Sequence, residues 1–297
     1  MSVRYLRTFI AIAESGTFAS AAHVVGITQS AVSMQMRALE DELRCELFDR
    51  SKRPPTLNAY GKALLPKARE IVFLYDQMTE AASSRDALAG MLELGAVPTT
   101  LTGLLPRTLA GLRTRHPRLK VRIAQNMATE LIHMVDRGEI DAAIVSEAAQ
   151  TPPGLRVRPF ASEQLMVVAP LDAPYNTDVE LLEKLPYIRF SRHATVGRMI
   201  QRELRNRNIK VSESMELASM EAITQMVYHG LGVSVLPERS VEEPRPLPIK
   251  KIPFGSPPPE RVLALVEREE SPKTPLIDAV FVEIEKLVGG SRSLEQP

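Results

Sequence analysis

Four uncharged hydrogen-bonding side chains, Gln29, Ser30, Ser33 and Gln35, crowd the first turns of a segment that reads as a helix from about Gln29 to Leu43. Ala31, Met36, Leu39 and Leu43 fall on its inward side and leave the polar groups outward. Gly26 stands where a preceding short helix must stop, and Thr28 can cap the new one by accepting from an orphan backbone N–H. Ala19, Ala21 and Ala22 are small enough for two helices to pack closely. A helix-turn-helix follows, and such a unit presents its second helix to the DNA major groove N-terminus first. The surface from Gln29 to Arg37 then faces base edges. Just beyond it Arg50, Lys52 and Arg53 form a tight basic cluster, stiffened by Pro54 and Pro55, as a phosphate-gripping wing requires. A solvated loop is the alternative reading of those charges alone.

At these residues the chain resembles the LysR-type transcriptional regulators. The resemblance includes Leu6, Phe9, Gly16-Thr17-Phe18, Thr28 to Ser33, Leu39-Glu40, Leu47-Phe48-Asp49-Arg50, Leu57 and Gly61. Looser matches continue through Gly95, Leu105-Pro106, Gly138, Asp141, Gly230-Leu231-Gly232 and Leu236-Pro237. It implies an α plus α/β architecture: a winged helix-turn-helix over 1–58, a linker and dimerisation helix over 59–90, and a two-lobed effector domain over 91–297, similar in fold to periplasmic solute-binding proteins. It implies DNA contacts from Gln29, Ser30, Ser33, Met34, Gln35, Arg37, Arg50, Lys52 and Arg53. Many relatives carry arginine where this chain has Met34. A methionine cannot make the bidentate guanine contact of an arginine and is suited to a thymine methyl or to the protein itself.

Further elements follow from pattern. Leu6, Phe9, Ile10 and Ala13 mark an amphipathic helix over Val3 to Glu14. Asn58 can cap a long helix from Ala59 to about Ala89. In it Leu64, Ala68, Ile71, Tyr75, Met78, Ala82 and Ala89 keep heptad spacing, broken by Arg85, and Pro66 is a candidate kink. A partner helix from a second copy is expected, with packing on the chain's own domain as the alternative. From Gly90 strands and helices alternate: strands at Met91 to Val97, Leu119 to Gln125 and Ala142 to Val145, helices at Thr102 to His116 and Thr129 to Asp136. That order predicts parallel sheets covered by helices. The crossings between lobes are expected near Ala161 and Val266, giving lobe one 91–161 and 266–297 and lobe two 162–265. The tail from Gly289 is polar and reads as disordered.

Ligands of open α/β sheets bind beyond strand ends, at helix N-termini. Three segments qualify. Pro98, Thr99 and Thr100 end one strand; the family's use of this position favours Thr99 or Thr100, against ordinary capping. Ser146 ends another. Ser191, Arg192 and Thr195 precede a helix in lobe two, where Arg192 or His193 meets an anion or is an exposed loop charge. Glu221 suits the dipole of a later helix. A small, anionic effector is expected, with no cofactor or metal.

The chain has 297 residues, a net charge of +1 and one cysteine, Cys45. The charge does not announce nucleic acid, so the DNA reading rests on local pattern. A lone cysteine excludes a disulfide framework, and Met1 to Tyr5 leads into a helix and not a signal peptide, so a cytoplasmic protein is expected. Cys45 should pack near Leu43 and Leu47. No apolar run has membrane-spanning length. His23, His116, His133, His193 and His229 lack metal-ligand spacing, Ser146 lacks a nucleophile elbow, and no Walker or dinucleotide motif occurs. The leading expectation is a ligand-responsive DNA-binding regulator, not an enzyme, acting as a homodimer or homotetramer with RNA polymerase as a further partner. The alternatives are a solute-binding protein whose N-terminal helices mediate assembly, and an α/β enzyme.

Overall fold

The computed structural model describes residues 2–51, 54–81, 88–146, 151–241 and 246–292. It divides into two compact units, 1–91 and 92–297.

The first unit is built on α1 (Val3–Ser15), α2 (Phe18–Val25) and α3 (Gln29–Leu43). Each starts on a side-chain cap: Ser2, Thr17 and Thr28 accept from Arg4, Ser20 and Ala31 N–H. α2 stops at Gly26, whose φ of 69° is left-handed, a conformation glycine adopts without strain. One core joins them: Leu6, Phe9 and Ile12 from α1, Ala21 and Ala22 from α2, and Val32, Met36 and Leu39 from α3. Val32, not Ala31, supplies the inward side chain of the first turn of α3, and Ala19 is exposed. Phe48 closes this core, packing on Phe9 and Phe18 with ring centroids 6.0 and 5.0 Å apart. Cys45 is half-buried against the same cluster.

A two-stranded wing follows, β1 (Phe48–Asp49) antiparallel to β2 (Thr56–Leu57). α4 (Ala59–Ala81) starts at Asn58, whose Oδ1 accepts from Gly61 N–H at 2.9 Å. The helix continues through Pro66. Its expected stripe divides. Leu64 and Ala68 pack into the unit's own core, whereas Ile71, Leu74 and Tyr75 remain exposed. The helix is described only to Ala81, and Ala89 precedes a strand, so the reading of one helix to Ala89 is too long. Lys52, Arg53, Ala82, Arg85 and the side chain of Met78 lie outside the described residues.

The second unit has a seven-stranded sheet in the order β10-β6-β11-β5-β3-β4, with β9 also on β6. Its strands are β3 (Gly90–Ala96), β4 (Leu119–Gln125), β5 (Ala142–Ser146), β6 (Leu155–Pro170), β9 (Ser234–Pro237), β10 (Ile249–Pro253) and β11 (Glu260–Arg268). β3 and β5 are parallel, as the alternating pattern predicts. The sheet as a whole is mixed, because β6 pairs antiparallel with β9, β10 and β11. The reason is the two-lobed plan. β6 runs out of one lobe into the other and β11 brings the chain back beside it.

Lobe one holds β3, β4, β5 and the start of β6, with α5 (Leu104–Arg115), α6 (Ala128–Asp136) and α10 (Thr274–Arg292). Lobe two holds the end of β6, β9 and β10, with α7 (Asp178–Lys184), α8 (Thr195–Asn206) and α9 (Met220–Tyr228). The parallel pair β7 (Pro186–Phe190) and β8 (Ser212–Leu217) joins it through a bridge from Tyr187 to Val233. β6 passes from one lobe to the other between Ala161, opposite Leu263, and Leu165, where it begins to pair with β9. The return crossing precedes Val266: β10 pairs with β6 as far as Pro253 and β11 pairs with β5 from Leu263, so the chain returns between these points, with Glu260–Val262 of β11 inside the crossing. The apolar run Leu263–Val266 is lobe-one strand and not a linker. α10 extends through Gly289 to Arg292, where composition alone suggests a disordered tail; residues 293–297 are outside the described range.

Candidate nucleic-acid interface and effector cleft

The outer face of α3 is open. Gln29, Ser30, Met34 and Arg37 are exposed and Ser33 is half-buried. Met34, at 69% exposure, stands clear of the protein. The Thr28 and Ser30 hydroxyls share a hydrogen bond of 2.9 Å, so the N-terminal turn is closed by its own side chains. Gln35 is different. It lies half-buried at the flank, and its Oε1 accepts from Thr8 Oγ1 at 2.6 Å. Helical spacing alone places it fully outward, and the bond to α1 accounts for the difference.

Behind α3 the wing is pinned by Glu40. This carboxylate is buried, accepts from Leu47 N–H at 2.8 Å, and pairs with Arg50 at 2.5 Å. Arg50 is thus a partly neutralised strut at the base of the wing.

In the second unit the ends of β3, β5 and β7 converge on a cleft. Lobe one contributes Val97, Pro98, Thr99, Met127, Ala128 and Ser146; lobe two contributes Phe190, Ala194, Thr195, Val196 and Ala218; Arg261 comes from the crossing strand β11. Pro98, Thr99, Ser146 and Thr195 therefore line one space. Thr100, Ser191 and Arg192 do not. Thr100 is buried in a 3-10 turn, and its hydroxyl donates to Val97 C=O at 2.9 Å. Ser191 Oγ accepts from His193 N–H within its own turn. Arg192 pairs with Glu216 at 2.8 Å, and its side chain and backbone N–H together hold that carboxyl below the usual range.

Arg261 was not found from sequence. Its neighbour in the alternation, Leu263, is buried while Val262 is exposed, so the inward phase of β11 begins with a charge. That phase was the available signal. Arg261 is 1% exposed and pairs with Glu163 of β6 through Nε at 2.7 Å. Burial pushes its guanidinium below the usual range, against the Glu163 carboxylate. Glu163 also accepts from Ser240 N–H at 2.9 Å. Arg261 Nη1 donates to Thr99 Oγ1 at 2.9 Å, which leaves the Thr99 proton free to donate.

Two helices begin at the cleft, α6 and α8. Their N-cap residues, Met127 and Ala194, have no side-chain oxygen, and neither helix has a side-chain cap. Thr177 caps α7, which begins elsewhere, and Ser219 caps α9, which begins at the edge of the cleft beside Ala218. Gly197 lets α8 approach this closely: a Cβ there would lie 2.0 Å from Ser191 O. Orphan N–H groups and the positive end of each helix thus face the same space. The Ser146 residue is buried in the β5–β11 ladder, and its hydroxyl makes no side-chain hydrogen bond among the described residues.

Among the described residues a hydrogen bond ties the lobes across the cleft. Thr102 of lobe one donates to Glu221 at the start of α9, and Arg239 and Ser219 bind the same carboxylate. Burial pushes Glu221 up, but these hydrogen bonds outweigh it and bring its carboxyl down to about 2.

A winged helix-turn-helix with an open reading face, joined in one chain to a two-lobed clamp around a cleft, defines a DNA-binding regulator with a ligand-binding domain. Residues 3–62 match the family described as "Bacterial regulatory helix-turn-helix protein, lysR family", and residues 85–286 match "LysR substrate binding domain". The chain belongs to the LysR family of transcriptional regulators. It is 30% identical to a "Probable hydrogen peroxide-inducible genes activator" of Mycobacterium avium, over 96% of this chain and 92% of the relative. It is 33% identical to a "Probable RuBisCO transcriptional regulator" of Cyanidioschyzon merolae, over 77% and 79%. A full-length OxyR point variant from Pseudomonas aeruginosa superposes with a TM-score of 0.71 at 26% identity, covering 96% of this chain and 94% of that one. CbnR complexed with its target DNA shares the fold, with a TM-score of 0.61 at 21% identity over 98% and 100%.

Proposed function

We propose that this regulator binds its operator through Gln29, Ser30, Ser33, Met34 and Arg37, grips the backbone through the wing, and responds to a small anion held between the lobes. The observation that carries the effector reading is the convergence of two uncapped helix N-termini on a cleft that is also lined by Arg261 and Ser146. Arg261 is already balanced by Glu163, so the anion is held chiefly by backbone N–H groups and hydroxyls, and its body meets Val97, Met127, Phe190 and Val196. The ligand acts by binding one arrangement of the lobes better than the other. A thiol route to peroxide response, suggested by the names of several relatives, is closed in the effector unit, since the only cysteine is Cys45.

Calorimetry with a panel of small carboxylates tests the site. Thr99→Val and Ser146→Ala should each weaken binding of the carboxylate that responds by about tenfold, as expected for one hydrogen bond, and leave DNA affinity without ligand unchanged. An affinity indifferent to both moves the site elsewhere.

The protein acts in the cytoplasm as a homo-oligomer, without catalysis. The exposed Ile71, Leu74 and Tyr75 of α4 supply the seam to a second copy. Ile71→Asp should lower the oligomeric mass in sedimentation at micromolar concentration; an unchanged mass counts against that seam. Among the described residues no helix is long and apolar enough to cross a membrane.

A further inference from the structure

We propose that Thr8 is a positioning residue for DNA binding: it ties back the amide oxygen of Gln35 and turns Gln35 into a donor-only contact to the phosphate backbone. Thr8 is 1% exposed and sits in the apolar face of α1. A valine would fill that space without burying a hydroxyl. The hydroxyl lies 2.6 Å from Gln35 Oε1, against 3.1 Å from Arg4 C=O, and its one proton goes to the nearer oxygen. It joins residues 27 positions apart, from α1 to the reading helix.

With one lone pair of Oε1 taken and that oxygen turned toward buried Thr8 of α1, the group of Gln35 turned to a partner is its NH₂, which only donates. Adenine recognition by glutamine uses one acceptor and one donor of the amide. Phosphate oxygens only accept. Gln35 also sits at the flank of α3, half-buried, and not on the exposed crest with Met34 and Arg37. The flanks of a helix in the major groove lie against walls lined by phosphates. Geometry and hydrogen-bond polarity therefore agree, and Gln35 moves from the base-reading set to the backbone-gripping set.

The test uses the full-length protein, a genomic duplex that it selects itself, and a random duplex of equal length. Gln35→Ala should weaken both complexes by the same factor, about tenfold. The salt slope should stay constant, because a neutral donor displaces no counterion. Thr8→Val should act in the same direction, the double variant should be no worse than Gln35→Ala, and Thr8→Ser should restore binding. Gln35→Glu still accepts from Thr8 but offers no donor. It should bind both duplexes more weakly than Gln35→Ala, and it serves as the test if Thr8→Val fails to fold. A Gln35→Ala loss confined to the selected duplex would make Gln35 a base reader and overturn the proposal. So would additive Thr8 and Gln35 losses, or parental binding by Gln35→Glu. Failure of the parent protein to bind any duplex would instead overturn the operator-binding reading.

Discussion

The N-terminus of α3 and those of α6 and α8 solve the same problem in opposite ways. α3 satisfies its first turn internally, with Thr28 on Ala31 N–H, so what it presents outward is side chains. α6 and α8 start on Met127 and Ala194 and leave their backbone N–H groups open to the cleft. Side chains can discriminate one base edge from another. Backbone donors recognise negative charge and little else, and the apolar lining must supply the rest of the selectivity. One chain thus keeps its sequence-reading surface and its chemical sensor on different parts of the helix.

The largest expected effect breaks the sensor. Arg261→Met leaves Glu163 buried without its cation and should cost about 3–5 kcal/mol by chemical denaturation; pairing it with Glu163→Leu should return most of that loss. If the single variant is as stable as the parent, the buried pair has been misjudged. On the reading side, Gln29→Ala should cost about 1–3 kcal/mol on a selected duplex and little on random DNA. Equal losses on both would place Gln29 on the backbone.

The capping contrast gives a smaller and more pointed prediction. Thr28→Ala should destabilise the DNA-binding unit by about 1 kcal/mol. Ala194→Ser supplies the cap that α8 lacks. It should stabilise the effector unit by a similar amount, about 1 kcal/mol, while weakening the carboxylate that the cleft binds. A serine there that strengthens the ligand would contradict the role given to the open N–H groups.

The smallest effect concerns Glu221. Its folded carboxyl, near 2, lies below its usual 4.5, so it contributes stability above about 4.5 that is lost as pH falls toward 2. In Glu221→Gln the melting temperature should fall less steeply across that window. Parallel curves would mean that the Thr102 and Arg239 contacts do not hold in solution.

Sequence made α3 readable because its signals are local: a cap, a glycine stop and a helical stripe all lie within Gly26 to Leu43. The wing was half readable. Arg50 looked like its neighbours until Glu40, ten residues away, proved to be its partner. The cleft was readable at strand ends, where Thr99, Ser146 and Thr195 stand, and unreadable where contacts are distant. Arg261 meets Glu163 across 98 residues and Thr99 across 162. The choice of Thr99 over Thr100 depends on a single 3-10 turn that directs one hydroxyl to the cleft and the other to Val97 C=O.

The most direct test pairs each small carboxylate with its neutral amide and measures both against the full-length protein by calorimetry, followed by operator binding in their presence. Open N–H groups around a charge-balanced arginine predict that one or more carboxylates bind and alter operator affinity, that the matching amides do neither, and that Ala194→Ser narrows the difference. Amides that bind and act as well as their carboxylates would contradict the account.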